Sequence, residues 1–247
     1  MKSWQKNIAT PPSLLMPAIR TEIASLTAKA KSPQGIGSSD FKSAIYAAQD
    51  VKSRLIADQH GKCAYCETSL LPIACGDVEH YRPKTSYSQV RRRPYKPAYY
   101  WLAYDWKNLM AVCPACNRHK GVWFPLMDPK ARDIAHQNIS KEDPLILNPY
   151  KDHVEDHLEY RAFHVFPKTS KDGSEDIKGR TTIDAVGLER EDLVEERRRA
   201  WFAFRNDRQG MTYAEGVRKM ENKMKGIGCT RDDIPFQNMF YNQIFQY

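Results

Sequence analysis

Two Cys-x-x-Cys pairs, Cys63/Cys66 and Cys113/Cys116, lie far apart in a chain of 247 residues. Each pair sets two thiols on one tight turn, and two such turns supply the four sulfurs of a tetrahedral zinc site. A zinc bound there would close a long loop and pull the residues between the pairs, and those just after them, into a small volume. Four cysteine ligands leave no open position for water, so such a zinc is structural. A redox role for either pair needs a helix N-terminus in a βαβ setting, and neither pair is placed that way. Disulfides are the other use of six cysteines. The N-terminal residues are basic and hold no long apolar stretch before Pro11 and Pro12, so no secretory signal is expected. The default address is then the cytoplasm, where thiols stay reduced. Cys75 and Cys229 fall outside the pairs and read as ordinary free thiols.

The bulk numbers fit a folded chain that meets a polyanion. Hydrophobic residues make up 41% and charged residues 28%, which excludes global disorder. The formal net charge of +8 points to nucleic acid or an anionic membrane. The longest apolar run, residues 98–104, is far too short to span a bilayer.

Along the chain, Leu15, Ile19, Ile23 and Leu26 predict a helix over residues 14–30. A Ser/Pro/Gly-rich stretch, 32–40, reads as a linker. Ser39 or Asp40 can cap a second helix whose stripe is Phe41, Ile45, Ala48, Val51 and Leu55 and which Gly61 ends. Residues 77–84 predict a short strand closed by Pro83. The following segment, 82–96, carries Arg82, Lys84, Arg91, Arg92, Arg93 and Lys96 without an acid, and is placed on a loop. The aromatic run 98–106 should pack inside, 109–113 reads as a strand entering the second pair, and the residues after it should begin a helix or turn. Further on, 145–149 reads as buried, 158–166 has strand character, 168–179 is a polar loop, and 191–208 is a helix with Leu193, Arg197, Trp201 and Phe204 on one face. A second, mostly polar helix covers 213–225, and the aromatic tail that follows is either core or an anchor for a partner.

Glu79-His80 lies between the cysteine pairs, and Asn117 directly follows the last cysteine. Adjacent residues of a strand point to opposite faces. Glu79 and His80 can serve one site only if the strand bends or the site wraps its end, which Pro83 makes feasible. Together, an imidazole, a carboxylate and a carboxamide offer a general base and two oxygen ligands, the groups needed to cut a phosphodiester. Arg91, Arg92 and Arg93 beside Tyr87 and Tyr95 suit a phosphate-tracking loop with stacking platforms, although a charge run is often only a solvated face. His153 and His157 stand at i, i+4 spacing among acidic residues and read as ordinary surface.

The order Glu79-His80, Asn108, then Cys113-x-x-Cys116-Asn117-x-x-Lys120 resembles the HNH endonucleases, whose site is a ββα-metal fold. The resemblance implies that His80 is the general base, Glu79 a metal ligand, Asn108 the brace of the loop holding the base, and Lys120 a basic group close to the scissile phosphate. Asn117 stands where the family usually has a third His. An Asn there makes the set all oxygen, which favours Mg²⁺ or Mn²⁺ over softer metals. For the same reason His119, two residues on, suits a phosphate contact or a surface role better than a metal bond, and Arg118 adds positive charge. The longer match, from CAYCE at 63–67 through EHYRPK, YWLAYDWKNL, CPACNRHKG, FPL and LNP to GRTTIDAVGLER, looks like the PtuB-type HNH nuclease subunits of Septu and retron-associated anti-phage systems. Glu189 departs from that pattern, which commonly has Asn. The resemblance implies a partner ATPase of the ABC-like class, PtuA, and in retron versions a reverse transcriptase with its RNA–DNA product.

The expected fold is therefore α+β and mostly helical: an N-terminal helical arm and linker (1–38), a zinc-stapled ββα-metal core (39–135) and a mainly helical C-terminal region (136–247) that contacts partner or substrate. The expected activity is metal-dependent hydrolysis of nucleic acid, DNA favoured. The alternatives are an RNA-cleaving, perhaps tRNA-cleaving, effector and a zinc-dependent binding module without catalysis.

Overall fold

The structure, a computed structural model, describes residues 1–70, 76–226, 232, 234 and 236–241. Cys75, Cys229 and the last residues of the aromatic tail lie outside these. The described chain is α+β, with eight α-helices and three two-stranded antiparallel sheets. None of its helices is long and apolar enough to cross a membrane.

The N-terminal third is helical. α1 spans Ala18–Ala30, behind a short 3-10 turn at Pro12–Leu14. The helix expected to run unbroken to Gly61 divides into α2, Ser43–Tyr46, and α3, Gln49–Asp58, because Ala48 is extended at ψ 156°. The break carries Tyr46 onto the ring of His80. The residues before α1 thread across the centre of the molecule. Trp4 donates from its indole to the Ala64 carbonyl at 3.0 Å. The Lys6 ammonium reaches the carbonyls of Trp106 and Leu109, between the rings of Trp106 and Tyr150. Burial lowers its pKa to about 7.

The centre is a strand pair followed by a helix. β1, Asp77–His80, pairs antiparallel with β4, Leu109–Val112, with Asp77 opposite Val112 and His80 opposite Leu109. Gly76, just before β1, has φ +58°, which favours glycine, and a Cβ there would crowd a Leu70 methyl at 3.1 Å and the Val112 carbonyl at 3.3 Å. The strand stops at His80, short of the expected Pro83. Beyond it, Asn108 replaces strand pairing, its carbonyl and side-chain oxygen accepting the Tyr81 and Arg82 N–H groups at 2.8 Å each. β4 is buried along its whole length, as its unbroken apolar sequence requires. It leads into α4, Pro114–Lys120, which begins inside the second cysteine pair and not after it. Pro114 at the first helical position presets φ, the Cys113 sulfur accepts the Cys116 N–H at 3.4 Å, and Gly121 at φ +49° ends the helix.

The basic segment, expected as a loop, contains a small hairpin of β2, Tyr87–Ser88, and β3, Pro94–Tyr95. The expected strand at 158–166 is also a hairpin: β5, Leu158–Arg161, turns at Ala162 (φ +53°) into β6, His164–Pro167. α5, Ile177–Val186, is capped by Asp176 and packs on α4. α6, Glu191–Asp207, buries Leu193, Arg197, Trp201 and Phe204, the face predicted from spacing. Arg197 is fully buried, and its guanidinium meets Glu189 at 3.2 Å and the Leu188 carbonyl at 2.7 Å. Glu189 in turn accepts from the Val165 N–H at 2.8 Å. Glu189 thus joins α6 to the β5–β6 hairpin. α7 covers Tyr213–Gly226 and α8 covers Gln237–Tyr241. The described part of the aromatic tail is core, with Phe240 against Trp201 and Phe204.

Candidate functional site

The four pair cysteines come together. Their sulfurs all lie within 4.8 Å of one another, and the Cys66 and Cys113 sulfurs are 3.6 Å apart. Metal–sulfur bonds of about 2.3 Å in a tetrahedron put sulfurs about 3.8 Å apart, so the cluster has the size and chemistry for a metal ion such as zinc. The first pair precedes β1 and the second joins β4 to α4, so an ion here would staple the strand pair at the end where Asp77 faces Val112. Hydrogen bonds from Cys113 and then Cys116 hold the Cys66 thiol well below its ordinary value, while burial pushes Cys63 up. One cation approaches from outside: the Arg190 guanidinium lies 3.5 Å from the Cys116 sulfur and 3.9 Å from that of Cys113. No feature of the sequence marks Arg190 for this place. Among the described residues His153 and His157 join no metal-sized cluster, and His157 pairs with Asp176 at 2.9 Å.

The other groups lie along β1 and α4. Asp77 and Glu79 share one strand face by their i, i+2 spacing. Asn117 and Lys120 share one helix face by their i, i+3 spacing. The two faces meet in two rungs. Asn117 donates from its amide nitrogen to Asp77 at 2.8 Å, and the Lys120 ammonium is ion-paired with Glu79. Lys120 is only 1% exposed and also donates to the His80 carbonyl at 3.1 Å. Expected beside a scissile phosphate, it is instead held inside against Glu79.

His80 occupies the opposite parity, at the strand's end. Its ring is buried, with Nε2 at 2.9 Å from the Ala103 carbonyl and Tyr46 edge-on at 4.8 Å between centroids. A carbonyl only accepts, so Nε2 carries the hydrogen and Nδ1 holds the lone pair. Burial, and next the charge of Lys84, lowers the imidazole well below its ordinary pKa, which keeps it neutral. The Lys84 ammonium lies 3.3 Å from Nδ1, over the Tyr46 ring. Burial lowers Lys84 as well, while Glu79 raises it and Lys120 lowers it further. These mutual effects make Glu79, His80, Lys84 and Lys120 one charged cluster around the end of β1. Asn108 ties down the segment that follows. Its amide accepts from the Arg82 N–H and donates to the carbonyls of Arg82 at 3.0 Å and Leu102 at 3.2 Å.

The expected phosphate-contact residues divide. Arg82 turns inward, buried in an ion pair with Glu142 at 2.9 Å, which corrects its placement on a phosphate surface. Arg92, Arg93 and Arg118 are exposed. Arg91 is exposed too, and lies over the Trp123 ring at 4.2 Å with a hydrogen bond to the Asp184 carbonyl. Tyr87 and Tyr95 stack across the hairpin at 5.6 Å. His119 is exposed and packs over Gly187, where a Cβ would approach its ring to 2.8 Å.

No protein-family model matches the chain. Among curated proteins it is similar to the Septu protein PtuB of Bacillus mycoides (strain KBAB4), 36% identical over 160 residues, which is 64% of this chain and 52% of that protein. It is similar to the Septu protein PtuB of Bacillus thuringiensis, 28% identical over 145 residues, 58% of this chain and 43% of that protein. A segment of the Septu protein PtuA of Bacillus mycoides (strain KBAB4) is also similar, 30% identical over 149 residues, 60% of this chain and 20% of that protein. The chain thus spans about half the length of the PtuB proteins it matches.

Proposed function

We propose, from its similarity to Septu PtuB proteins, that the chain is a PtuB-type, metal-dependent HNH endonuclease acting in anti-phage defence, with DNA as the favoured substrate. The observation that carries the reading is the environment of His80: a buried, neutral imidazole whose Nε2–H is spent on the Ala103 carbonyl, leaving Nδ1 as the base.

In this mechanism Nδ1 of His80 takes a proton from water, and the resulting hydroxide attacks phosphorus in line. Ala103 holds the tautomer, Tyr46 holds the ring plane, and Asn108 holds the backbone beyond the strand. Lys84, at 3.3 Å from Nδ1, swings to the incoming phosphodiester and yields its place to the water. Mg²⁺ or Mn²⁺ would be held by the Glu79 carboxylate and the Asn117 amide oxygen, an all-oxygen pair that suits a hard cation. Such an ion supplies positive charge to the phosphoryl group and the leaving oxygen. Lys120 holds the Glu79 carboxylate in place through their ion pair. Cys63, Cys66, Cys113 and Cys116 would hold zinc as a structural staple. Arg92, Arg93, Arg118 and the stacked Tyr87 and Tyr95 form the surface that follows the polymer backbone.

The match to a PtuA segment is likeness between sequences. Assembly with a PtuA-type ATPase, and in retron settings with a reverse transcriptase, remains part of the proposal through the PtuB relatives. The test is His80→Ala: cleavage should be lost while nucleic-acid binding persists, and sequencing the ends released by wild type from mixed DNA and RNA gives the polymer. Binding without cleavage by mutant and wild type alike would overturn the reading in favour of a binding module, and equal cleavage by both would remove His80 as the base.

A further inference from the structure

The Asp77–Asn117 rung has a consequence for the divalent-ion site, and it rests on the nuclease reading above. We infer that Asp77 is a positioning residue that aims the amide of Asn117, so that its oxygen and not its nitrogen faces the metal.

The argument is one of hydrogen-bond chemistry. An Asn side chain has two ends of similar size, one a donor and one an acceptor, and its last torsion is two-fold. Left alone, the amide can present either end, and only the oxygen binds a hard cation. An ionised carboxylate has no hydrogen to give. The Asn117 atom that meets the Asp77 oxygen at 2.8 Å must therefore be the nitrogen. That bond turns the amide oxygen to the other side. The carboxylate is itself well fixed: Gly76 sets the start of β1, and Asp77 is paired with Val112 across the sheet. The second rung follows the same rule, since Lys120 fixes Glu79 as Asp77 fixes Asn117. Each ligand of the proposed ion thus has one partner on the facing element, the arrangement by which outer groups tune a metal site.

Asp77 is only half-buried, so its replacement should leave the core intact. The experiment measures Mn²⁺ affinity of the full, zinc-loaded chain by calorimetry or by the signal of free Mn²⁺, alongside melting temperature and the Mn²⁺ concentration for half-maximal cleavage. Asp77→Ala should weaken Mn²⁺ binding by about tenfold or more, with melting temperature and zinc content unchanged. Asp77→Asn, which keeps the shape but can face Asn117 with either end, should also weaken it. In an Asn117→Ala background, Asp77→Ala should cost nothing further, because its effect passes through Asn117. A further loss in that background would make Asp77 a direct ligand and overturn the inference. Wild-type affinity in both Asp77 variants would overturn it while leaving the nuclease reading intact. A wild-type chain that binds neither Mn²⁺ nor Mg²⁺ would overturn both.

Discussion

The two ends of α4 do different work with different bonds. Its N-terminal turn carries Cys113 and Cys116 into a compact cluster of four sulfurs. Its C-terminal turn carries Asn117 and Lys120 onto Asp77 and Glu79 through a hydrogen bond and an ion pair. The first end needs only four residues of one type and has no polar alternative. The second depends on the parity of a strand, the pitch of a helix and the angle between them. The sulfur end sets where the helix starts, and the polar end uses that placement.

Breaking the sulfur end should have the largest effect. Cys63→Ser or Cys116→Ser removes a sulfur from the cluster proposed to hold zinc; such metals are coupled to folding, and apparent zinc-binding energies in small domains reach about 10 kcal/mol or more. The expected result is loss of soluble, zinc-containing protein, read by metal analysis and melting; unchanged melting and zinc content would remove the staple from the account. Breaking the polar end should cost less. Lys120→Ala leaves the Glu79 carboxylate buried without its partner, a loss of about 3–5 kcal/mol, measured by denaturant unfolding. A near-zero cost with weakened substrate binding would return Lys120 to the phosphate surface.

Smaller changes sharpen the contrast. Arg190→Ala removes the cation beside Cys113 and Cys116, and zinc release to a chelator should quicken by about tenfold, with Arg190→Lys intermediate. Unchanged release would leave the contact without consequence for the metal. Charge reversal at Arg92 and Arg93 should leave stability untouched and lower the salt dependence of nucleic-acid binding by about 0.7–0.9 per lost phosphate contact. An unaltered slope would assign the β2–β3 hairpin to another role.

What the sequence made legible follows the same division. The cysteine spacing announced the sulfur cluster because each pair is local and the chemistry of thiols is narrow. The helix at 191–208 was readable to its buried face because Leu193, Arg197, Trp201 and Phe204 repeat at helical spacing. The inward turn of Arg82 was not readable, since its partner Glu142 lies sixty residues on and no local pattern joins them. The same holds for Arg190 and the sulfurs. Asp77 was within reach: it stands two residues before Glu79 and shares its strand face, but the link to Asn117 needs the β1–α4 packing. The break between α2 and α3 was hidden because Ala47 and Ala48 are good helix formers, and tertiary placement of Tyr46 overrides them.

The central claim is that a neutral, buried imidazole at the end of β1 is the base. A buried His whose folded pKa is depressed is neutral at and above the ordinary value of about 6.5, and protonating it costs the fold, so its stability contribution is complete above that pH and is lost as pH falls below it. The most direct measurement is the pH profile of cleavage at saturating Mn²⁺. The acid limb should lie well below pH 6.5 and should vanish with the activity in His80→Ala. An acid limb at or above about 6.5, or cleavage by His80→Ala at the wild-type rate, would contradict it.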